Sequence, residues 1–73
     1  MLYEIKVNYK GNEKSYIATE IKFGKRNGFN SIGFMQKGKK RFDWYRIETI
    51  GEVVGEITVC EATTGREMHT FDY

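Results

Sequence analysis

The sequence contains no proline, a single cysteine and a single histidine, and it has no long apolar run. One cysteine cannot form an internal disulfide, which excludes a disulfide-stapled secreted scaffold and favours a reducing cytoplasm. No segment approaches the ~18 consecutive apolar residues of a membrane-spanning helix. The first six residues lack the basic and apolar regions of a signal peptide. We therefore expect a cytoplasmic protein with no membrane partner.

The short chain and the scarcity of histidine and cysteine also argue against catalytic activity. The 73 residues predict a single small domain, residues 1–73, with a stability of roughly 3–5 kcal/mol. A catalytic pocket of ~300 Å³ or more is difficult to form on so small a core. One histidine and one cysteine are too few ligands for a zinc site. We therefore expect a non-enzymatic protein without catalytic residues, metal or cofactor, which gains stability from a partner or as a homo-oligomer.

What the sequence does contain is apolar alternation with a period of two, which is typical of half-buried strands. In the first strand, Tyr3, Ile5, Val7 and Tyr9 alternate with polar residues. Further strands are predicted at 14–23, 29–36, 41–47, 57–63 and 66–73. Residues 48–55 are predicted to form a bend with a short strand or a single 3₁₀ turn. No window shows a helical stripe. The pattern predicts an all-β fold, a small SH3-like or Sm-like barrel of five to six antiparallel strands.

Glycine and asparagine mark the turns in place of proline. A two-residue loop at Gly11-Asn12 would set Val7 opposite Tyr16 and Ile5 opposite Ala18, which gathers apolar side chains on one face. The second strand carries another apolar set on its other face. This predicts a bent strand that contributes to two layers.

The third and fourth strands are expected to form a hairpin around the turn 37–40, with Gly38 at the first central position of a type II′ turn. In that register Met35 lies opposite Phe42, and Gly33 lies opposite Trp44. A large aromatic side chain that covers a glycine on the neighbouring strand is a stabilising arrangement.

Charge is sorted along the chain, although the net charge is only +2. Residues 1–20 are neutral overall, residues 21–46 carry +7, and residues 47–73 carry −5. The middle segment interleaves cations with aromatics, a combination that is typical of phosphate-backbone binding. The candidate nucleic-acid-binding residues are Lys22, Lys25, Arg26, Lys37, Lys39, Lys40, Arg41, Tyr45 and Arg46.

Tyr45 is included as an exposed ring that can stack on an unpaired base, because it alternates with Phe42 and Trp44 and points to a different face. We expect most other aromatics in the core. An alternative is that the cations only keep hairpin tips hydrated and prevent edge pairing. The basic loops 24–28 and 37–40 lie at opposite ends of one strand, ~25 Å apart. A single ligand reaches both loops only if it is long.

Two patterns suggest chemistry only weakly. A two-residue Thr64-Gly65 loop would set Cys60 opposite His69, as a nucleophile with its base or as half of a metal site. A three-residue loop would separate them, and a buried cysteine near a half-buried histidine is the commoner arrangement. The loop 24–28 lacks the spacing and the Gly-Lys-Ser/Thr ending of a P-loop. We interpret it as a hairpin loop with positive φ at Asn27-Gly28.

Two segments resemble WYL-type domains, the Sm-like β-barrels of bacterial regulators. Residues 5–9, which precede a glycine turn, are similar to the opening strand of those barrels. Residues 40–47, Lys-Arg-Phe-Asp-Trp-Tyr-Arg-Ile, are similar to their Arg-x-Phe-x-x-x-Arg-Ile strand. The Trp-Tyr-Leu run that names the family is absent, and residues 30–34 read Asn-Ser-Ile-Gly-Phe. The resemblance implies a regulatory barrel that senses a ligand or nucleic acid, with Arg41 and Arg46 contacting a nucleotide or strand.

These observations leave two hypotheses about function. The first is a small module that binds nucleic acid or a nucleotide through its basic middle segment. The second is a protein-interaction module, an accessory or inhibitor of the kind that bacteriophages encode. Such a module would dock on a larger host protein by charge complementarity or by adding an edge strand to its sheet.

Overall fold

The computed structural model describes all 73 residues, Met1–Tyr73, and contains six β-strands and no helix. The strands are β1 (Tyr3–Tyr9), β2 (Asn12–Arg26), β3 (Phe29–Gln36), β4 (Phe42–Arg46), β5 (Gly55–Glu61) and β6 (Glu67–Asp72). All neighbours pair antiparallel in one sheet of order β4-β3-β2-β1-β5-β6. The predicted all-β class with five to six antiparallel strands is therefore confirmed, with six strands present.

The long strand β2 joins the two halves of the sheet. Its first half pairs with β1 and its second half pairs with β3. At the corner, Ala18 has partners on both sides, Tyr3 and Gln36, and the register then shifts between Ala18 and Glu20. The extra residue of this bulge, Thr19, increases the local bend and twist of the strand. The bent strand that the two apolar faces of β2 predicted is present.

The core lies between the inner faces that this bend brings together. Its buried members are Ile5 and Val7 of β1, Ala18 of β2, Ile32 and Phe34 of β3, Ile57 and Val59 of β5, and the terminal Tyr73. Phe34 is the largest fully buried side chain. Its ring stacks on the ring of Tyr45 with 5.7 Å between centroids, and the Tyr16 ring lies 5.4 Å away. Burial of such a ring stabilises the fold by about 1.5–3 kcal/mol.

The sheet is not closed by hydrogen bonds, because β4 and β6 are its two edges. Side chains nevertheless meet across the gap. The Phe23 ring of β2 lies 5.4 Å from the His69 ring and 6.0 Å from the Phe71 ring of β6. Between β4 and β5 the predicted bend is present, at residues 48 and 50–52, but it contains neither the short strand nor the 3₁₀ turn that the sequence predicted. In this segment the Thr49 hydroxyl donates to the carbonyl of Asp72.

The first hairpin has a different register from the predicted one. Its loop is Lys10-Gly11, with φ values of 50° and 85°, so glycine takes the second central position. As a result, Ile5 lies opposite Tyr16 instead of Ala18, and Val7 lies opposite Lys14 instead of Tyr16. Asn12 is the first residue of β2 and pairs with Tyr9. Each partner moves by two residues, so every side chain keeps its predicted face of the sheet.

Candidate nucleic-acid interface

The outer face of β2, β3 and β4 carries an indole ring that lies flat on the sheet. Trp44 pairs with Gly33, as predicted from the sequence. A Cβ placed on Gly33 would lie 2.7 Å from two indole carbons, so no larger residue leaves room for the ring in this position. The far edge of the indole reaches Gly24 on β2, where an added methyl group would lie 3.8 Å from the ring. The indole therefore packs on Gly33 of β3 and Gly24 of β2, which are on neighbouring strands.

Two cations cover the rings of this face. The Nζ atom of Lys22 lies 4.1 Å from the centroid of the Phe42 ring, and the guanidinium carbon of Arg26 lies 4.1 Å from that of Trp44. The Phe42 and Trp44 centroids are 6.4 Å apart. Both rings are half-buried, and a cation over a ring near the surface contributes about 0.5–1 kcal/mol. We call these four residues, Lys22, Arg26, Phe42 and Trp44, the Trp44 face.

The turn between β3 and β4 continues the basic surface beyond Phe42. Four cations lie between the end of β3 and the start of β4: Lys37, Lys39, Lys40 and Arg41. All four are exposed. The Lys39 amide donates a hydrogen bond to the Gln36 carbonyl, so the turn is 36–39 and Gly38, with a φ of 85°, takes its second central position instead of the predicted first one. At the opposite end of β3, the predicted positive φ values of Asn27 and Gly28 are confirmed at 54° and 83°. The loop predicted at 24–28 is reduced to Asn27-Gly28, because β2 continues to Arg26. The Trp44 face lies between this turn and the β3–β4 turn.

None of these cations is neutralised within the protein. The single ion pair of the structure joins Arg66 to Glu61 at 3.9 Å, far along the chain from the basic segment. Asp43, the only carboxylate among residues 21–46, accepts a hydrogen bond from the Gln36 side chain at 2.8 Å. Most carboxylates of the acidic third lie on β5 and β6, at the edge of the sheet opposite to β4. The molecule therefore has a basic half and an acidic half.

Tyr45 does not lie where the sequence predicted. It is half-buried on the inner face, stacked on Phe34, and its hydroxyl lies 3.3 Å from that of Tyr16. This hydrogen bond and burial raise the pKa of Tyr45 from 10.0 to about 12. As predicted, Tyr45 points to the opposite face of β4 from Phe42 and Trp44. The assignment of the two faces was reversed, because Gly33 on β3 leaves room for the indole of Trp44 on the outer face. The expected exposure of Tyr45 was therefore wrong.

Tyr45 instead forms part of the wall of a groove of about 610 Å³ at the end of the core, together with Val7, Tyr9, Asn12, Lys14 and Tyr73. The Tyr73 hydroxyl donates to the Asn8 carbonyl at 3.2 Å. Burial raises the pKa of Tyr73 above its ordinary value of 10.0, with the nearby Arg46 acting in the opposite direction. The groove has aromatic walls but only one lysine, so it is less suited to a polyanion than the Trp44 face.

The two remaining basic candidates do not lie over the rings of Phe42 or Trp44. Arg46 is half-buried, with its guanidinium carbon 6.0 Å from the Phe29 centroid and 5.9 Å from the Tyr73 centroid. Its Nε is buried and has no hydrogen-bond partner. Lys25 lies between Gly24 and Arg26 in β2 and so points to the other side of the strand. There it lines a cavity of about 470 Å³ that extends to Phe71.

Sequence reasoning missed Phe42 and Trp44 as site residues by assigning them to the core. A signal for their position was available. Residues that pair directly across two strands project to the same face of the sheet, so the Trp44 indole must lie on the face to which Gly33 belongs. Ile32 and Phe34, the neighbours of Gly33 in β3, project to the opposite face. Because Ile32 and Phe34 are the buried side chains of β3, the indole had to be on the outer face.

Cys60 and His69 do not form a pair. The last hairpin has a register shift between Val59 and Cys60, which sets His69 opposite Val59 and Cys60 opposite Glu67. The Cys60 thiol is free and buried, whereas the His69 ring packs against Phe23 on the inner side of the sheet. The nucleophile-and-base arrangement is therefore excluded by the bulge. No group of three or more His, Cys, Asp or Glu side chains is arranged to hold a metal ion.

Comparison with known proteins gave no match: no family model fits the chain, and no curated protein or solved structure resembles it significantly. The structure contains no helix of the length and apolarity needed to cross a lipid bilayer.

Proposed function

We propose that this protein is a small, non-enzymatic module that binds nucleic acid or a nucleotide through its basic middle segment. The observation that carries the proposal is a set of unpaired cations around two outward-facing aromatic rings. The binding residues are Lys22, Arg26, Phe42 and Trp44, with Lys37, Lys39, Lys40 and Arg41 at the adjoining turn. Lys25, Tyr45 and Arg46 are left outside this surface.

The physical basis is counterion release. Each lysine or arginine that contacts a phosphate frees a condensed cation from the nucleic acid, and affinity then falls as salt rises. Cations already engaged with carboxylates would contribute less, because the protein's own anion competes with the phosphate. The cations of the β3–β4 turn have no such competitor within ion-pair distance. The proposal therefore includes a strong salt dependence.

The test is a double charge reversal with a matched control. Lys39→Glu with Lys40→Glu changes two exposed cations of the β3–β4 turn, and Lys10→Glu with Lys14→Glu makes the same change in net charge at the β1–β2 hairpin. Binding of fluorescently labelled DNA and RNA is followed by anisotropy at two salt concentrations. We expect the wild type to bind below ~10 μM with a steep salt slope, and the first variant to lose binding.

The control variant should retain most of the affinity, because its substitutions lie outside the Trp44 face and the β3–β4 turn. Equal losses in both variants would indicate net charge alone rather than a localised surface. Absence of binding by the wild type at low salt would eliminate the proposal.

A second candidate function is supported by the unpaired sheet edges. The outer strands β4 and β6 each have one side without a strand neighbour, and exposed edges can pair with a strand of another protein. In this alternative the protein is an accessory or inhibitor, such as a phage-encoded one, that docks on a larger host protein. A stoichiometric complex formed without nucleic acid, together with no binding of DNA or RNA, would favour it.

Three finer sequence predictions belong to the same proposal. Closure of the sheet into an SH3-like or Sm-like barrel is supported by the contacts of Phe23 with His69 and Phe71. The WYL-type resemblance supports a regulatory role, with Arg41 as a nucleotide or strand contact. A location in the reducing cytoplasm is supported by the free, buried thiol of Cys60.

A further inference from the structure

We propose that the ligand of the Trp44 face is single-stranded nucleic acid, with two successive bases stacked on the rings of Phe42 and Trp44. The inference rests on the proposed function, since it takes the surrounding cations to be phosphate contacts. It goes further by naming the class of nucleic acid and the two side chains that distinguish it from a duplex.

The spacing of the rings carries the first part of the inference. Their centroids are 6.4 Å apart, with planes inclined by 39°. Successive bases along a strand of duplex DNA are only ~3.4 Å apart and nearly parallel. Two neighbouring bases that each stack on one ring must therefore separate by about 3 Å more and tilt. A flexible single strand allows this extension, whereas base pairing in a duplex prevents it.

The shape of the surface carries the second part. The indole of Trp44 reaches across β3 to β2, so the face spans three strands. A major groove of ~12 Å admits an α-helix or a two-stranded ribbon, and not a broader sheet. Flat rings on a sheet do suit unpaired bases, which stack on aromatic side chains and Arg guanidinium planes.

The cations determine where the backbone of the strand runs. Lys22 and Arg26 lie over the same rings that would receive the bases. When a base stacks on a ring, the cation above it is free either to move to the adjacent phosphate or to stack on the far side of the base. The strand then continues past Phe42 to the four cations of the β3–β4 turn. This path follows β3, an eight-residue strand, and covers ~25 Å.

The chain contains one tryptophan, so intrinsic tryptophan fluorescence reports on Trp44 alone. The unmodified protein is titrated with a thymidine 12-mer, a uridine 12-mer and a 12-base-pair DNA duplex at low salt. We expect saturable quenching of Trp44 by one or both single strands, because a base replaces the cation over the indole. The two single-stranded arms establish whether DNA or RNA is preferred. The duplex should leave the emission unchanged.

A variant series separates stacking from charge. Trp44→Leu keeps an apolar side chain over Gly33 but removes the aromatic face, and Trp44→Phe keeps a smaller ring. Loss of one base–aromatic stack should weaken single-strand binding by roughly 5- to 100-fold for Trp44→Leu, and by less for Trp44→Phe. Tyr9→Leu is the matched control, because Tyr9 is an exposed aromatic outside the face. Its affinity should be that of the wild type.

The outcomes separate this inference from the proposed function. Salt-dependent binding of duplex and single strands with equal affinity, no change in Trp44 emission and full affinity in Trp44→Leu would overturn the stacking inference and leave the proposed function intact. No binding of any nucleic acid would overturn both. If Trp44→Leu is unfolded by circular dichroism, the quenching measured on the unmodified protein decides the question.

Discussion

Replacement of Gly33 by alanine tests the packing that creates the Trp44 face. The new methyl group would lie 2.7 Å from Cε2 and Cζ2 of Trp44 and 2.9 Å from Cδ2. Carbon atoms pack best at about 3.5–4.0 Å, so the indole must lift by about 1 Å. The contacting atoms belong to the rigid indole ring, which lies over both Gly33 and Gly24. A movement of the ring within its own plane would therefore not remove the clash.

The expected free-energy change follows from two opposing effects. Overpacking of this kind costs about 1–3 kcal/mol. Alanine also restricts the unfolded chain, which stabilises the protein by about 0.4–1 kcal/mol. The net result for Gly33→Ala is a loss of about 1.3 kcal/mol in the free energy of unfolding at the middle of both ranges, and of about 2.6 kcal/mol at most. In a domain of this size, that is a large share of roughly 3–5 kcal/mol.

Gly24→Ala is the matched control, because a methyl group there meets the same indole at an ordinary 3.8 Å. It should be neutral or slightly stabilising. Urea unfolding of both variants gives the midpoint and the slope m, and Trp44 emission in the folded state reports displacement of the ring. We expect a lower midpoint and red-shifted emission for Gly33→Ala only. Equal midpoints and unchanged emission in the two variants would refute the packing described here.

Three further predictions concern the core and the register. Phe34→Ala should cost about 3–5 kcal/mol and leave the protein largely unfolded by circular dichroism at 25 °C, whereas Phe34→Leu should remain folded with a lower melting temperature. The Tyr45 pKa is raised from 10.0 to about 12, so the folded protein holds this proton more tightly than the unfolded chain. The resulting stabilisation is complete below pH 10 and is lost as the pH rises towards 12. Absorbance at alkaline pH should show a tyrosine that ionises near pH 12, later than the exposed tyrosines, and this step should be missing in Tyr45→Phe. The buried Cys60 should react with a chromogenic disulfide reagent only as fast as the protein opens, and His69→Asn should not change the reactivity of the folded state; a large change would contradict the observed register.

Some of the site could be predicted from local pattern. The pairing of Gly33 with Trp44 followed from the length of the loop between β3 and β4, because loop length determines register in a hairpin. The positive φ values of Asn27 and Gly28 followed from the preference of these residue types for that region of backbone conformation. In both cases the determining residues are close along the chain.

Other parts of the site depended on contacts distant in sequence. Tyr45 was expected to be exposed because its strand is apolar on both faces, and alternation alone does not state which face meets the core. Contacts with two residues distant in sequence determine that Tyr45 is on the inner face. Its ring stacks on Phe34, and its hydroxyl is hydrogen-bonded to that of Tyr16. The register of Cys60 was left open by the sequence for a related reason, since a bulge inserts one residue without a distinctive sequence signal.

The sequence by itself determined the all-β class, a count of five to six strands, the approximate positions of the turns and the concentration of positive charge in residues 21–46. These properties arise from alternation, turn chemistry and composition, which act over a few residues. Only the tertiary structure decided which face of β4 is inside and which two aromatic rings stand among the cations. The physical reason is that an inner face is defined by what packs against it, and the bend at Thr19 of β2 brings that partner from a distant part of the chain.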